Sequence, residues 1–282
     1  MKIGLLSLAA ELKKNGVFRD VHNMMDMGTK TLRVHYNDLE YLYKQTNLKF
    51  NKKKYSFLKK FPKGKRISNK IFWDDLDIKY NCLDINKEEG STFVDLNYPF
   101  KDKKHLKKYD LVLDIGNNEH IFNVAEAYRT MFNLTKRNGF LWIFQSVYNG
   151  NGFFQYDIPF FEGFAAANKL NIVYGAYVIG TKDYGQFLIP ADKDLFNTLD
   201  LNKVESVGIT YIFRKNFDDE FKYNYQYNID DKEKAPFNLN FLNKNFPPER
   251  YYIQSKTLKD IKNKAKKGDK DCIEWLRATG QY

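Results

Sequence analysis

The chain has 282 residues, of which 43% are hydrophobic, and a formal net charge of +11 at pH 7. This is enough apolar material for one large domain, or for one domain with an appendage. No window approaches the 18 consecutive apolar residues that a membrane-spanning helix needs. The two cysteines, Cys82 and Cys272, belong to no metal or disulfide motif. We therefore expect a cytoplasmic protein that has no metal centre and does not cross a membrane.

The positive charge is concentrated in residues 44–70, which contain eleven Lys or Arg and no Asp or Glu. Aromatic residues alternate with these cations, at Phe50, Tyr55, Phe57 and Phe61. The pattern is typical of a surface that stacks on bases and follows phosphates. The candidate nucleic-acid contacts are Lys52, Lys53, Lys54, Lys59 and Lys60. The alternative is a solvated basic loop, since lysines outnumber arginines 38 to 8 and phosphate-binding sites favour the arginine fork.

Apolar runs alternate with helical patterns as far as residue 215, which predicts an α/β fold. We expect a Rossmann-like, mostly parallel sheet of seven strands with helices on both faces. The predicted strands are 23–28, 78–85, 91–97, 109–116, 140–146, 171–179 and 207–215. The predicted helices are an N-terminal one over 3–12 and then 37–45, 119–136, 159–169, 193–200 and 256–277. The domain would cover 1–215 with a basic insertion at 44–70, followed by a C-terminal extension, 216–282, that packs on it or mediates oligomerisation.

Ligands of open parallel sheets bind beyond the carboxyl ends of the strands, so polar residues at those ends form the candidate site. They are Asp26, Gly28 and Thr29 after the first strand, Asp84 after the second, Asp95 to Asn97 after the third, and Asn117 to His120 after the fourth. A carboxylate that closes the second strand is the usual anchor for ribose hydroxyls. The segment DMGTKT has one glycine where a dinucleotide fingerprint has three, which favours a nucleoside ligand without a pyrophosphate.

The stretch YDLVLDIGNNEHIFNVAEAYRTMFNLTKRNGFLWI (109–143) resembles the fourth-strand segment of class I S-adenosylmethionine-dependent methyltransferases. The loop NGNGFFQYDIPFF (149–161) is similar to a GFYQFSPxxF loop in a subset of that family. The segment VDLNYP (94–99) fits the family's third-strand segment. The resemblance covers roughly residues 20–215.

The resemblance implies a methyltransferase that uses S-adenosylmethionine. It implies that Asp26 and Gly28, with the adjacent Thr29, contact the methionine portion of the cofactor, and that Asp84 binds the ribose. The other implied cofactor contacts are Asp95 and Leu96 on the adenine side and Asp114, Gly116 and Asn117 beneath the sulfonium. The family's second and third glycines are replaced here by Lys30 and Leu32, which leaves a degenerate, non-catalytic member as an alternative.

The residues expected to face the acceptor follow the fourth and fifth strands. The candidate substrate contacts are Glu119, Asn149, Asn151 and Gln155. His120 or Tyr156 would act as the base if the acceptor has to lose a proton, as a hydroxyl does. Gly150 and Gly152 are candidate hinges of a loop that closes over the substrate. The alternatives are ordinary ones, in which these residues cap helix 119–136 or belong to a flexible connection.

The sequence therefore predicts a methyltransferase with a small-molecule or carbohydrate acceptor. One alternative is a methyltransferase of nucleic acid that binds through residues 44–70. The other is a methyltransferase-like interaction module that no longer catalyses and acts through residues 216–282.

Overall fold

A computed structural model describes residues 1–60, 67–86, 90–181, 185–224 and 258–278. Eight strands in these residues form one sheet. They are β1 Asn23–Asp26, β2 Lys79–Asp84, β3 Thr92–Phe93, β4 Tyr109–Ile115, β5 Thr135–Tyr148, β6 Asn171–Gly180, β7 Gln186–Pro190 and β8 Ser206–Arg214. Their spatial order is β3-β2-β1-β4-β5-β8-β6-β7. The strands from β3 to β5 pair in parallel, whereas β8 and β7 run antiparallel to their neighbours.

The predicted α/β fold with a mostly parallel sheet is confirmed, but the strand number is eight and not seven. The additional strand is β7, which pairs with β6 at the edge of the sheet. It is five residues long and ends on Pro190. Because proline has no backbone N–H, its place on an edge strand breaks no ladder hydrogen bond.

Eight helices accompany the sheet in the described residues. They are α1 Ile3–Lys14, α2 Tyr36–Gln45, α3 Lys70–Asp75, α4 Val124–Leu134, α5 Ile158–Ala167, α6 Lys193–Phe196, α7 Leu258–Lys266 and α8 Lys270–Ala278. Successive residues of a strand face opposite sides of the sheet, and so Met24 and Met25 belong to different apolar clusters. Helices α1 to α3 contribute to the first cluster, and α4 and α5 contribute to the second. Helices therefore cover both faces.

The predicted helix 119–136 is wrong at both ends. Residues Asn118–His120 form a separate 3₁₀ turn, and α4 begins only at Val124. Strand β5 already begins at Thr135, and Asn138 has a φ of 63°. The Asn138 N–H donates to the Lys215 carbonyl, so the Asn-Gly pair bends a strand and does not end a helix.

In the described part of the basic segment, Phe50 and Tyr55 pack against each other and do not form a base-stacking surface. Tyr55 is fully buried, and the ring of Phe50 stacks on it with centroids 5.3 Å apart. Lys54 forms an ion pair with Asp75, whereas Lys53 is exposed. Two other lysines are also engaged: Lys52 pairs with Glu40 at 3.0 Å, and the Lys59 Nζ lies 4.6 Å from the Tyr36 ring centroid. The Lys60 side chain and Phe61 lie outside the described residues.

The C-terminal extension contains two helices where one was predicted. They are separated at Gly268, whose φ of +90° favours glycine. Ala265, Cys272 and Leu276 are buried in the second apolar cluster, so these helices pack on the domain. Residues 225–257 lie outside the described residues. No helix in the described part of the chain has the length and apolar character to cross a membrane.

The position of β8 between β5 and β6 is stabilised by a buried side-chain hydrogen bond. Trp142 Nε1 donates to Thr210 Oγ1 at 2.8 Å, and both residues are fully buried. We predict that Thr210→Val, which keeps the shape of the side chain, lowers the free energy of unfolding by about 1–3 kcal/mol because the indole N–H loses its acceptor. Urea unfolding measures this loss.

The matched control is the same substitution in a Trp142→Phe background, where no indole N–H is left unpaired. The additional cost of Thr210→Val should be smaller there, which a double-mutant cycle reports directly. An equal cost in both backgrounds would contradict the predicted role of this hydrogen bond.

Candidate functional site

The topology places a crevice at the carboxyl ends of β1 and β4. These two strands are neighbours, but the chain passes from β1 toward β2 and β3 on one side and from β4 toward β5 on the other. Such a reversal of strand order opens a crevice in which α/β proteins bind their ligands. Asp26 ends β1, Asp114 lies one residue before the end of β4, and Asp84 ends the adjacent β2. The strand ends chosen from the sequence are therefore brought together.

Gly28 is in very close contact with side chains from the neighbouring loop. A Cβ atom at this position would lie 2.5 Å from Asn117 Oδ1 and 3.2 Å from Lys30 Nζ. The Asn117 amide is held in place because its Nδ2 donates to the Met27 carbonyl at 2.8 Å. A larger residue at position 28 would therefore displace the side chains of Asn117 and Lys30, which cover the face that glycine leaves open.

Asp84 accepts hydrogen bonds from the loop that follows β1. Its Oδ2 accepts from the Thr29 N–H at 2.8 Å and from Thr29 Oγ1 at 2.5 Å, and its Oδ1 accepts from the Asn86 N–H at 2.8 Å. Burial opposes ionisation, but these hydrogen bonds and the positive charge of Lys30 hold the pKa of Asp84 below its ordinary value. An ionised, partly exposed carboxylate thus lies at the end of β2.

Asp26 and Asp114 are both fully buried, and burial raises both pKa values. The pKa of Asp26 rises to about 6, with the charge of Lys30 and a hydrogen bond from Tyr80 opposing the shift. The pKa of Asp114 rises to about 7 against the effects of Lys30 and the Asn117 and Asn118 N–H groups. Asp114 also accepts from Gln145 Nε2. The charge of Lys30 therefore influences all three carboxylates of the crevice.

The remaining predicted cofactor residues lie in the segments that follow β3 and β4. Asp95 Oδ1 accepts from the Asn97 N–H at 2.9 Å, and Leu96 is buried in the second apolar cluster. Asn97 Oδ1 in turn accepts from the Asn123 N–H at 2.9 Å, which joins this loop to the start of α4. Gly116 has a φ of +62° and turns the chain away from β4.

Glu119 and His120 form a buried acid and an exposed base at the end of β4. The Glu119 carboxylate accepts from the Ser146 N–H at 2.6 Å and from Ser146 Oγ at 2.9 Å. His120 Nε2 lies 3.6 Å from Glu119 Oε1, and the His120 side chain is 42% exposed. Gln145 Oε1 accepts from the Glu119 N–H at 3.2 Å, so the end of β5 holds this turn in place.

Gln145, Ser146 and Lys30 were not identified from the sequence as site residues. The signal for the first two was the change from apolar to polar residues at the end of FLWIFQS (140–146). Their partners, Asp114 and Glu119, lie on other elements and are brought to them only by the fold.

The glycines of the loop after β5 allow close packing. A Cβ at Gly152 would lie 2.7 Å from the Glu119 backbone oxygen, and one at Gly150 would lie 2.3 Å from Ser146 Oγ. The Phe153 N–H donates to the Glu119 carbonyl at 2.7 Å. The loop is thus attached to the turn that carries His120.

The predicted acceptor residues of this loop have different environments. Asn149 Nδ2 donates to the Glu205 carbonyl at 2.7 Å, whereas Asn151 and Gln155 are exposed. Tyr156 is buried, and its ring lies edge-on to Tyr128 with centroids 6.4 Å apart. Burial and the charge of Asp114 raise the pKa of Tyr156 well above its ordinary value. Its hydroxyl therefore keeps its proton at neutral pH and can donate but not act as a base.

Comparison with solved structures finds several methyltransferases of low similarity. One is the 1,6-didemethyltoxoflavin-N1-methyltransferase of Burkholderia thailandensis, with 10% identity, a TM-score of 0.38, and coverage of 74% of this chain and 79% of that one. Another is the O-methyltransferase from a trans-AT PKS multienzyme of Brevibacillus brevis, with 13% identity, a TM-score of 0.37 and coverage of 74% and 71%. No family model and no curated protein matches the sequence. TM-scores this low carry no argument about function.

The buried Asp26 predicts a specific dependence of stability on pH. Its pKa is about 6 in the folded chain against an ordinary 3.8, so the folded state binds more protons between these values. The stabilisation is complete below about pH 4 and is lost as the pH rises through 6. From pH 5.0 to 7.5, we expect this group to lower the free energy of unfolding by roughly 1–2 kcal/mol.

Asp26→Asn is neutral at every pH. In this variant, the free energy of unfolding measured with urea should therefore fall by about 1–2 kcal/mol less between pH 5.0 and 7.5 than in the wild type. Glu220→Gln makes the same charge change at an exposed position and should leave the decrease unaltered. A wild-type decrease that survives in Asp26→Asn would contradict the assignment.

Proposed function

We propose that the chain is an S-adenosylmethionine-dependent methyltransferase that acts on a small-molecule or carbohydrate acceptor. The observation that carries the proposal is the arrangement of Gly28 and Asp84 at the carboxyl ends of the adjacent strands β1 and β2, next to the point where the strand order reverses. A bare backbone beside an ionised carboxylate at this point suits a nucleoside ligand.

The side chains of the crevice fit the cofactor's donors. Asp84 is partly exposed and oriented by Thr29, and a carboxylate accepts hydrogen bonds from the two ribose hydroxyls. Leu96 and Asp114 are buried, so in this proposal they support the crevice from beneath and do not offer it an exposed surface. When bound, S-adenosylmethionine supplies a methyl group that is already activated by a cationic sulfonium. The chain's own task is then to align the acceptor and exclude water.

Two side chains favour a second candidate function, that of a degenerate methyltransferase-like module. Lys30 Nζ and Asn117 Oδ1 both lie against the open face of Gly28, where a cofactor would approach the backbone. The ammonium of Lys30 also repels a sulfonium. Both side chains are partly exposed, and the proposal requires that each moves away from Gly28, which for Asn117 breaks its hydrogen bond to the Met27 carbonyl.

His120 is the proposed base for a hydroxyl acceptor. The buried Glu119 carboxylate lies 3.6 Å from its Nε2 and is itself fixed by Ser146, so a carboxylate is placed to stabilise the positive charge of the imidazolium. A proton from the acceptor oxygen would pass to His120 as the methyl group is transferred. Tyr156 keeps its proton and is proposed as a hydrogen-bond donor.

Two exposed aromatic rings support an acceptor site beside His120. Phe122 is 79% exposed and follows the turn that carries His120, and Phe153 is 69% exposed and bonded through its N–H to Glu119. Exposed rings of this size mark binding surfaces when they are grouped. A sugar or a planar small molecule has the apolar face that such rings contact.

Calorimetric titration tests cofactor binding. We expect S-adenosylmethionine to bind, and Asp84→Asn to weaken the binding by about tenfold or more because hydrogen bonds to the charged carboxylate are lost. Asp219→Asn, at an exposed ion pair with Lys169, is the control and should bind as the wild type does.

Lys30→Ala distinguishes the two candidate functions. It removes a cation from the crevice and should strengthen binding of the cationic S-adenosylmethionine more than that of the uncharged sulfide S-adenosylhomocysteine. An absence of binding at millimolar cofactor in both the wild type and Lys30→Ala would contradict the methyltransferase proposal and leave the degenerate module.

Release of S-adenosylhomocysteine with a panel of hydroxyl acceptors tests the base. We predict that His120→Gln lowers kcat by about 10²–10⁴-fold, the usual contribution of a general base, while cofactor affinity is unchanged. His22→Gln, at another exposed histidine, should keep full activity. An unchanged kcat in His120→Gln would exclude His120 as the base.

A further inference from the structure

A groove at the other end of the strands from the candidate site carries an excess of positive charge. It has a volume of about 490 Å³ and lies at the amino ends of β4, β5 and β6. Asp110 lines the groove, whereas Asn117 lies in the candidate site. Strand β4 ends at Ile115, and with a rise of about 3.3 Å per residue Asp110 lies about 16 Å from that end of the strand. The groove is therefore separate from the proposed cofactor crevice.

The back of the groove is rigid and already neutralised. Asp110 is buried and accepts from the backbone N–H groups of His22 and Asn23, each at 2.8 Å. Its other oxygen forms an ion pair with Lys136. This carboxylate and this ammonium thus satisfy each other, and neither is left for a ligand.

The front of the groove carries two arginines that lack an acidic partner. Within the described part of the chain, no carboxylate lies within 4.0 Å of the Arg137 or Arg214 guanidinium, whereas Arg129 pairs with Glu126 at 3.4 Å. Arg137 Nε donates to the Asn216 carbonyl at 3.2 Å. Arg214 lies opposite Phe140 in the β5–β8 ladder, with its guanidinium carbon 5.8 Å from the ring centroid.

The choice of arginine at these positions is unusual for this chain. It has 38 lysines and only eight arginines, and two of the eight line the groove. A guanidinium offers two parallel N–H donors to an oxyanion, which an ammonium cannot do. Asp20 is the other carboxylate in the lining, so after the Asp110–Lys136 pair is set aside the two arginines exceed the acids by one charge.

The floor between these charges is apolar. Val17 and Val173 line the groove and are partly exposed, whereas Phe140 and Ile172, which also line it, are buried. An anion bound here would therefore rest its uncharged part on a hydrophobic surface, and a simple inorganic ion would leave that surface bare.

We propose that this groove binds a small organic anion whose phosphate or carboxylate group is held by Arg137 and Arg214 and whose apolar part lies against Val17 and Val173. The proposal does not depend on methyltransferase activity, since none of these residues belongs to the cofactor crevice.

Ligand-observed NMR titration tests the groove with three related probes. Phenyl phosphate carries a phosphate and benzoate a carboxylate on the same kind of ring, and benzamide is the neutral analogue of benzoate. We expect saturable binding of at least one oxyanion and at least tenfold weaker binding of benzamide. A preference for phenyl phosphate or for benzoate identifies which oxyanion the arginines select.

Substitutions of the two arginines distinguish a requirement for the paired N–H donors of a guanidinium from a requirement for positive charge alone. Arg137→Gln and Arg214→Gln should each weaken binding about tenfold, and Arg214→Lys should weaken it also, because it keeps the charge and loses the fork. Arg33→Gln makes the same charge change at an exposed position outside the groove and should have no effect. All four substitutions are at exposed side chains, and equal melting temperatures verify the fold.

Three results would overturn the proposal: no saturable binding of either oxyanion, equal binding of benzamide, or an equal loss of affinity in Arg33→Gln. The last would mean that the anions respond to the overall positive charge of the protein and not to this groove.

Discussion

The burial of Asp26 and Asp114 at the carboxyl ends of neighbouring strands is the constraint on which the rest of the crevice depends. Both carboxylates are out of contact with water, and the ionised form of each is disfavoured. The positive charge of Lys30 stabilises the ionised form of both carboxylates and so opposes the rise of their pKa values. The same ammonium lies against Gly28. The charge that balances the buried acids is therefore located in the crevice itself.

The sheet, and the meeting of the polar residues that end its parallel strands, could be predicted because they follow from local patterns. Apolar runs that alternate with amphipathic segments specify parallel strands, and a parallel sheet brings all its carboxyl ends to one edge. Asp84 and Gly28 could be chosen on that basis alone. The Asn138-Gly139 pair follows the predicted helix 119–136 and is typical of a helix end, but its pairing with Lys215 makes it a bend in a strand.

The rest of the site depends on contacts between distant segments, which no local pattern records. Ser146 became a site residue only because the fold places it against Glu119, 27 positions earlier in the chain. The aromatic residues of the basic segment illustrate the opposite error. Phe50 and Tyr55 have the spacing of a nucleic-acid surface, but their rings pack into the core beside α2, and burial of large rings outweighs the exposure that a binding surface requires.

On the proposed function, the sulfonium of the cofactor would take the place of the Lys30 ammonium as the positive charge beside the carboxylates of the crevice. In the free chain, its ammonium is the mobile positive charge nearest to a crevice that holds three carboxylates. On the proposed function, the cationic cofactor would bring its own positive charge to the same carboxylates, so Lys30 could leave for solvent without exposing them to one another's repulsion. A neutral product lacks that charge, and the return of Lys30 would then favour its release. The residue that departs most clearly from the family pattern would, on this argument, assist turnover and not prevent binding.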